Sequence, residues 1–139
     1  MFILSYFLPF GLIFMSLSSQ GKKTGCYYWP CSDVVIQGLR PDIWFNFSYE
    51  PDFPTRVDTV VNWFKTDKVD LATLYFHEPD VSGHRYGPDT PEVKAKVKEL
   101  DGVLGYLVKQ MKANKLDETV NIIVTSDHGM TTVDRVNRV

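Results

Sequence analysis

Residues 70–91 read DLATLYFHEPDVSGHRYGPDTP, and two boundaries inside them decide the fold. The run DLATLYFH is apolar and aromatic without clean alternation, with charge before it and Pro79 after it, the pattern of a strand buried on both faces. Proline cannot donate a ladder hydrogen bond, so the strand finishes before Pro79 and Asp80 lies just past its carboxyl end. Thr90 and Pro91 then open a helix. Threonine is a good N-cap, and proline at the first helical position forgoes an N–H that has no intrahelical partner. Between these boundaries lie His77, Glu78, Asp80, His84 and Asp89, with Gly83 and Gly87. A connection of that length in a compact domain is uncommon unless it works as a site.

Downstream, Val93, Val97, Leu100, Leu104, Leu107 and Met111 recur at spacings of three and four, a core-facing stripe that leaves Lys94, Lys96, Lys98 and Lys109 in water. VNIIVTSDHGM (120–130) follows, and Ile122, Ile123 and Val124 read as a second buried strand running into Ser126-Asp127-His128-Gly129. A strand, a crossover helix and a second strand in one sheet are almost always parallel with a right-handed crossing, so both carboxyl ends face the same way. Upstream, Val57, Val60, Val61 and Phe64 mark an amphipathic helix from Pro54 to near Asp67. Residues 25–53, rich in aromatics, Pro and Gly, read as an irregular surface-forming segment in which only Val34 to Ile36 resembles a short strand. No repeat or low-complexity tract appears, and the grammar is α/β with parallel strands and crossover helices.

In open α/β sheets the ligand site lies outside the carboxyl ends of the strands. Asp80 with His84, and Asp127 with His128, occupy those ends. Either pair alone is ordinary turn composition; both at matching strand ends read as metal ligands. Adjacent strand residues point to opposite faces, so Asp127 and His128 converge only where the strand stops, and Gly129 lets it stop. Gly83, taking a positive φ, turns the His84 imidazole back toward Asp80. Carboxylate and imidazole without thiolate suit zinc ahead of manganese or iron. Strands about 4.8 Å apart match paired catalytic metals about 3.5–4 Å apart. His77 reads as a satisfied structural histidine, and Glu78 as a hydrogen-bond partner of the site.

At 139 residues, with 44% hydrophobic and 23% charged residues, the chain supports one core. A net charge of -2 with scattered Lys and Arg excludes the footprint of a nucleic-acid surface. Residues 1–20 read as a signal peptide or an N-terminal anchor: Phe2 to Leu17 is apolar apart from Ser5, Gly11 and Ser16, and Pro9 interrupts it. That run is short of the roughly 20 residues a spanning helix needs, and Ser16-Leu17-Ser18 offers a small-x-small cleavage pattern. Either reading sends the body, residues 21–139, to the cell surface or beyond. Asn46-Phe47-Ser48 is a glycosylation acceptor meaningful on that route. Cys26 and Cys31 are open to pairing there or to remaining free, and they offer no structural zinc site of the thiolate type.

TLYFHEPDVSGHRYGPD (73–89) together with NIIVTSDHGM (121–130) resembles the two downstream metal motifs of the ectonucleotide pyrophosphatase/phosphodiesterase family, within the alkaline phosphatase superfamily. YYWPCSDV (27–34) resembles the family's Trp-Pro-Gly-Ser-Asp-Val stretch. RPDIWFNFSYEPDFPTRV (40–57) resembles the loop and helix start that follow, and ELDGVLGYLVKQMKANKL (99–116) its long helix. The resemblance runs from about Thr24 to Asp134 and implies part of an alkaline-phosphatase-like catalytic domain. It implies two zinc ions and cleavage of phosphodiester or pyrophosphate bonds of extracellular nucleotides, through a threonine nucleophile and a covalent nucleotidyl intermediate. Carried over by motif, Asp80 and His84 hold one zinc, and Asp127 and His128 the other. Asp33 contacts substrate, and Phe47, or else Tyr49, stacks on the base. Trp29 shapes the same pocket or packs beneath it.

The departures are as specific. The family's Phe-Asp-Gly, with its metal-binding aspartate, and the Thr-x-Pro-Asn setting of the nucleophile do not occur in the sequence. Nor does the late histidine that completes the first zinc, since His77, His84 and His128 are the three histidines. Cys31 stands where relatives have glycine, and Cys26 where they have a small residue. The expectation is a partial zinc phosphodiesterase, inactive as given. The alternative is a secreted noncatalytic module that binds a metal or nucleotide, and a partial reading frame with unpaired sheet edges is the third reading. The substrate is a nucleotide or another phosphodiester small molecule; the choice among dinucleotides, nucleoside triphosphates and choline phospholipids stays open, as does oligomeric state.

Overall fold

The computed structural model describes residues 13–30 and 33–133. Three parallel strands, β1 (Thr24–Tyr27), β2 (Ile43–Trp44) and β3 (Leu71–Leu74), form a sheet in the order β2-β1-β3. Helix α1 (Phe53–Asn62) continues into a wider turn over Trp63–Asp67, α2 is Asp80–Tyr86 and α3 is Pro91–Ala113. The fold is the mixed α/β, parallel-stranded one expected, with its crossover drawn elsewhere: α1 connects β2 to β3, which flank β1 on either side.

The central strand lies in the segment read from sequence as irregular. Thr24-Gly25-Cys26-Tyr27 is buried throughout, too short and too small in its side chains to show a periodicity. Gly25 is required by a close approach, because a Cβ there would sit 2.6 Å from Cε3 of Trp63. Cys26 is a free buried thiol 2.9 Å from the Thr73 hydroxyl, and burial pushes it up to about 12. The pairing question for Cys31 lies outside the described residues. Val34 to Ile36 makes no strand; a single bridge between Ile36 and Leu39 closes a turn.

Helix α1 starts where an aspartate can cap it. Asp52 Oδ1 accepts from the Thr55 N–H at 2.8 Å, and these bonds hold its carboxyl below the ordinary range. Val57, Val60 and Val61 are buried as the stripe requires. Val60, Trp63 and Val69 pack on Tyr27 and Tyr28, while Val57 and Val61 pack on Val103 and Met111 of α3. Helix α3 starts at Pro91 after Thr90, although the Thr90 hydroxyl donates to the Gly87 carbonyl rather than capping the helix. Of its expected stripe Val93 and Met111 are buried while Val97 is 52% exposed, and Val103, outside that stripe, is buried as well. A helix of 23 residues is about 35 Å long and overhangs a sheet whose strands reach four residues.

The second expected strand does not form. Residues 120–126 carry no ladder, and Ile122, Ile123 and Val124 are 42%, 87% and 69% exposed. Val120 still packs beside the α1–α3 core. The apolar run thus leaves the core at its start and crosses solvent without a neighbouring strand to pair with among the described residues.

Residues 13–19 are helical, and the rest of the expected leader lies outside the described residues. Among the described residues no helix is long and apolar enough to cross a membrane.

Candidate functional site

Strand β3 ends at Leu74, before Pro79 as expected, and Asp80 opens α2. Asp80 and His84 are therefore joined by one helical turn, not by a loop. Residues four apart on a helix share a face, which brings His84 Nε2 to 3.3 Å from Asp80 Oδ1. Gly83 has no positive φ. Met130 lies on it, and a Cβ at Gly83 would collide with the Met130 sulfur. Glu78 works locally too, its carboxylate accepting from the Ser82 N–H at 3.0 Å in the first turn of α2.

That Met130 contact delivers the second couple. His128 Nε2 lies 3.6 Å from Asp80 Oδ1 and 3.8 Å from Asp127 Oδ1. Thus Asp80, His84 and His128 approach one another, with Asp127 next to His128, even though the strand expected to carry Asp127 and His128 does not form among the described residues. Gly129 has open space around it and no positive φ, so it plays no strand-stopping part. Nδ1 of His128 lies 2.9 Å from the Gly129 carbonyl. This contact, then the Asp127 carboxylate, raises the pKa of the imidazole above its ordinary value. A proton on Nδ1 leaves Nε2 a lone pair facing Asp80, the arrangement of a metal-binding histidine.

The donors suit a cation. Asp80 Oδ1 is buried and accepts no hydrogen bond, although two imidazole nitrogens approach it. Two donors held tetrahedrally at about 2.0–2.1 Å by one zinc lie about 3.3 Å from each other, close to the separations here. Among the described residues no group of three or more His, Cys, Asp or Glu is placed to hold a metal ion. Side-chain exposures of 74% at His84, 60% at Asp127 and 52% at His128 keep the rim open to solvent.

Beside the rim is a cleft of about 340 Å³ walled by Tyr28, Trp29, Pro30, Asp33, Phe45, Phe47, Tyr49, Tyr75 and His77, with Asp80 and Val81 at one end. Asp33, Phe47, Tyr49 and Trp29 all line it. The Phe47 and Tyr49 rings meet edge to face at 4.9 Å. Asn46, exposed between two cleft-lining phenylalanines, does not line the cleft. Burial, then Asp127 and Asp80, raises the pKa of Tyr75, which ties this ring to the rim.

Sequence reasoning missed Phe45 and Tyr75, whose aromatic character alone does not separate cleft from core. It also missed Arg56, for which a signal exists: position 56 is buried with Val57, Val60 and Val61 on α1. His77 is not the satisfied residue expected. Its ring packs among Phe47, Tyr49 and Phe53, while Nδ1 is buried without a partner. Desolvation, then the nearby Arg56 charge, holds its pKa below the ordinary imidazole range.

Residues 11–139 match the family described as type I phosphodiesterase / nucleotide pyrophosphatase. Human ectonucleotide pyrophosphatase/phosphodiesterase family member 7 is 40% identical over 129 residues, covering 88% of this chain and 28% of that protein. The bis(5'-adenosyl)-triphosphatase enpp4 of Xenopus laevis is 40% identical over 121 residues, covering 85% of this chain and 27% of the relative. Murine ectonucleotide pyrophosphatase/phosphodiesterase 5, solved as an inactive variant in complex with AMP, superposes with a TM-score of 0.84 at 38% identity, covering 89% of this chain and 33% of that one. The chain thus spans about 28% of the human relative's length. With the motif residues gathered at one rim and the match running through nearly all of the sequence, the chain belongs to the type I phosphodiesterase / nucleotide pyrophosphatase family.

Proposed function

We propose that this chain is part of a zinc-dependent nucleotide pyrophosphatase/phosphodiesterase, with residues 1–20 as leader or anchor and residues 21–139 as a portion of the catalytic domain acting outside the cell. The observation that supports the reading is the approach of His84 and His128 to a buried Asp80 carboxylate oxygen that accepts no hydrogen bond, with Asp127 beside His128. Asp80 and His84 would hold one zinc, and Asp127 and His128 the other. Bound there, the metals would neutralise phosphate oxygens and polarise the bond to be cleaved. The chain's own residues bind and orient the substrate: Phe47 or Tyr49 stacks on a base, Asp33 contacts it, and the aromatic walls exclude water. A nucleotide fits this reading because the murine relative is complexed with AMP. Asn46, exposed, is available for glycosylation.

The threonine nucleophile, the Phe-Asp-Gly aspartate and the late histidine do not occur in these 139 residues, so the chain as given binds without turning over. Zinc calorimetry, paired with hydrolysis of a nitrophenyl ester of a nucleoside monophosphate, tests this. The expected result is zinc uptake that Asp80→Ala weakens, with no turnover. Turnover at the level of an intact relative contradicts the inactivity, and absence of zinc binding contradicts the site. The cleft of about 340 Å³, whose described lining includes no serine, threonine or cysteine, favours a second reading, a secreted noncatalytic module. Micromolar or tighter AMP binding without cleavage selects it.

A further inference from the structure

Arg56 is 0% exposed, and among the described residues no carboxylate forms an ion pair with it. Burying an uncompensated charge costs several kcal/mol unless its hydrogen bonds are met, and an apolar side chain at this position would pack without that cost. What the guanidinium supplies is a fork. Nε donates to the Pro51 carbonyl at 2.9 Å, one terminal nitrogen to the Tyr75 carbonyl at 3.3 Å and the other to the Ser48 carbonyl at 3.4 Å. Its plane also lies over the rings of Tyr28, at 4.9 Å, and Phe53, at 5.1 Å.

These contacts reach three separate stretches that wall the cleft. Tyr28 follows β1, Ser48 and Pro51 lie in the loop that also bears Phe47 and Tyr49, and Tyr75 follows β3 on the way to Asp80. Among the described residues no backbone–backbone hydrogen bond joins residues 45–51 to another segment. The loop that carries the stacking rings is therefore held to the metal-bearing strand end through Arg56 and ring packing. We propose that Arg56 is a positioning residue, a clasp behind the cleft that fixes the distance between the Phe47–Tyr49 wall and the Tyr75–Asp80 end and so sets nucleotide affinity.

This rests on the nucleotide reading above, and the test separates the two. Arg56→Lys keeps the charge but replaces the fork by a point donor that cannot serve three carbonyls. In the full chain with zinc, it is expected to weaken AMP binding about tenfold, the worth of one charge-assisted hydrogen bond. Zinc affinity should hold, because Arg56 touches none of the four donors. Backbone order parameters from NMR relaxation should fall at residues 45–50 and stay unchanged in α3. Unchanged order parameters in the loop, or AMP and zinc binding falling together, overturns the clasp. A wild-type chain that takes up zinc but not AMP overturns the nucleotide reading, and the clasp's role in affinity with it. Should Arg56→Lys not fold, the wild-type Arg56 Nε–H decides: a slowly exchanging proton signal that shifts on AMP addition supports the clasp, and rapid exchange overturns it.

Discussion

The two halves of the rim share their chemistry and differ in how they are held. Asp80 and His84 follow a strand paired residue by residue with β1 and stand on one helical turn whose start is tied by Glu78. Asp127 and His128 end a stretch that has no ladder, and they are held at their tip by the contact of Met130 with Gly83 and the approach of His128 to Asp80. In sequence LATL and IIV look alike. A strand needs a neighbour as well as an apolar run, because each unpaired backbone group otherwise turns to water, and only the first run has one here.

Amide exchange separates the halves most widely. Protection of Thr24–Tyr27 and Leu71–Leu74 should exceed that of residues 121–126 by about a thousandfold, or about 4 kcal/mol. Equal protection would mean that the second run is paired after all. Truncation is the next largest contrast. Met111→Ala, at a position 2% exposed, should cost about 3 kcal/mol in urea unfolding. Ile123→Ala, at a position 87% exposed, should cost less than about 0.5 kcal/mol.

A third contrast acts on the joint between the halves. In Gly83→Ala the new methyl displaces the Met130 sulfur, while a helix gains about 1 kcal/mol from alanine over glycine. Calorimetry should therefore show zinc affinity down about tenfold, the scale of a lost supporting contact, with the melting temperature held or raised. The smallest effect is that of pH. The pKa of His77 is lowered in the folded chain, so its contribution is present above the unfolded imidazole value of about 6.5. That contribution is lost as pH falls through the folded value. His77→Phe should flatten the melting temperature between about pH 5 and 7.

Sequence showed α1 and α3 for stated reasons, while α2 was read as a loop. The stripe of α1, the Thr90-Pro91 start and the stop before Pro79 are local signals, and the structure obeys each of them. What stayed hidden is relational. β1 carries too few residues for a period, and its identity as the centre of the sheet depends on partners at Ile43 and Leu71. Gly83 was legible as necessary, but its reason is a thioether 47 residues away, not a turn. Arg56 went unread, although a charged residue beside the apolar stripe of α1 was a signal open to notice.

The central claim is that both couples serve metal ions at one rim. Anomalous scattering from zinc in crystals of the chain tests it most directly. The account predicts one peak bonded to Asp80 and His84 and a second, about 3.5–4 Å away, at Asp127 and His128. Zinc found only elsewhere, with Asp80 Oδ1 still unligated, contradicts it.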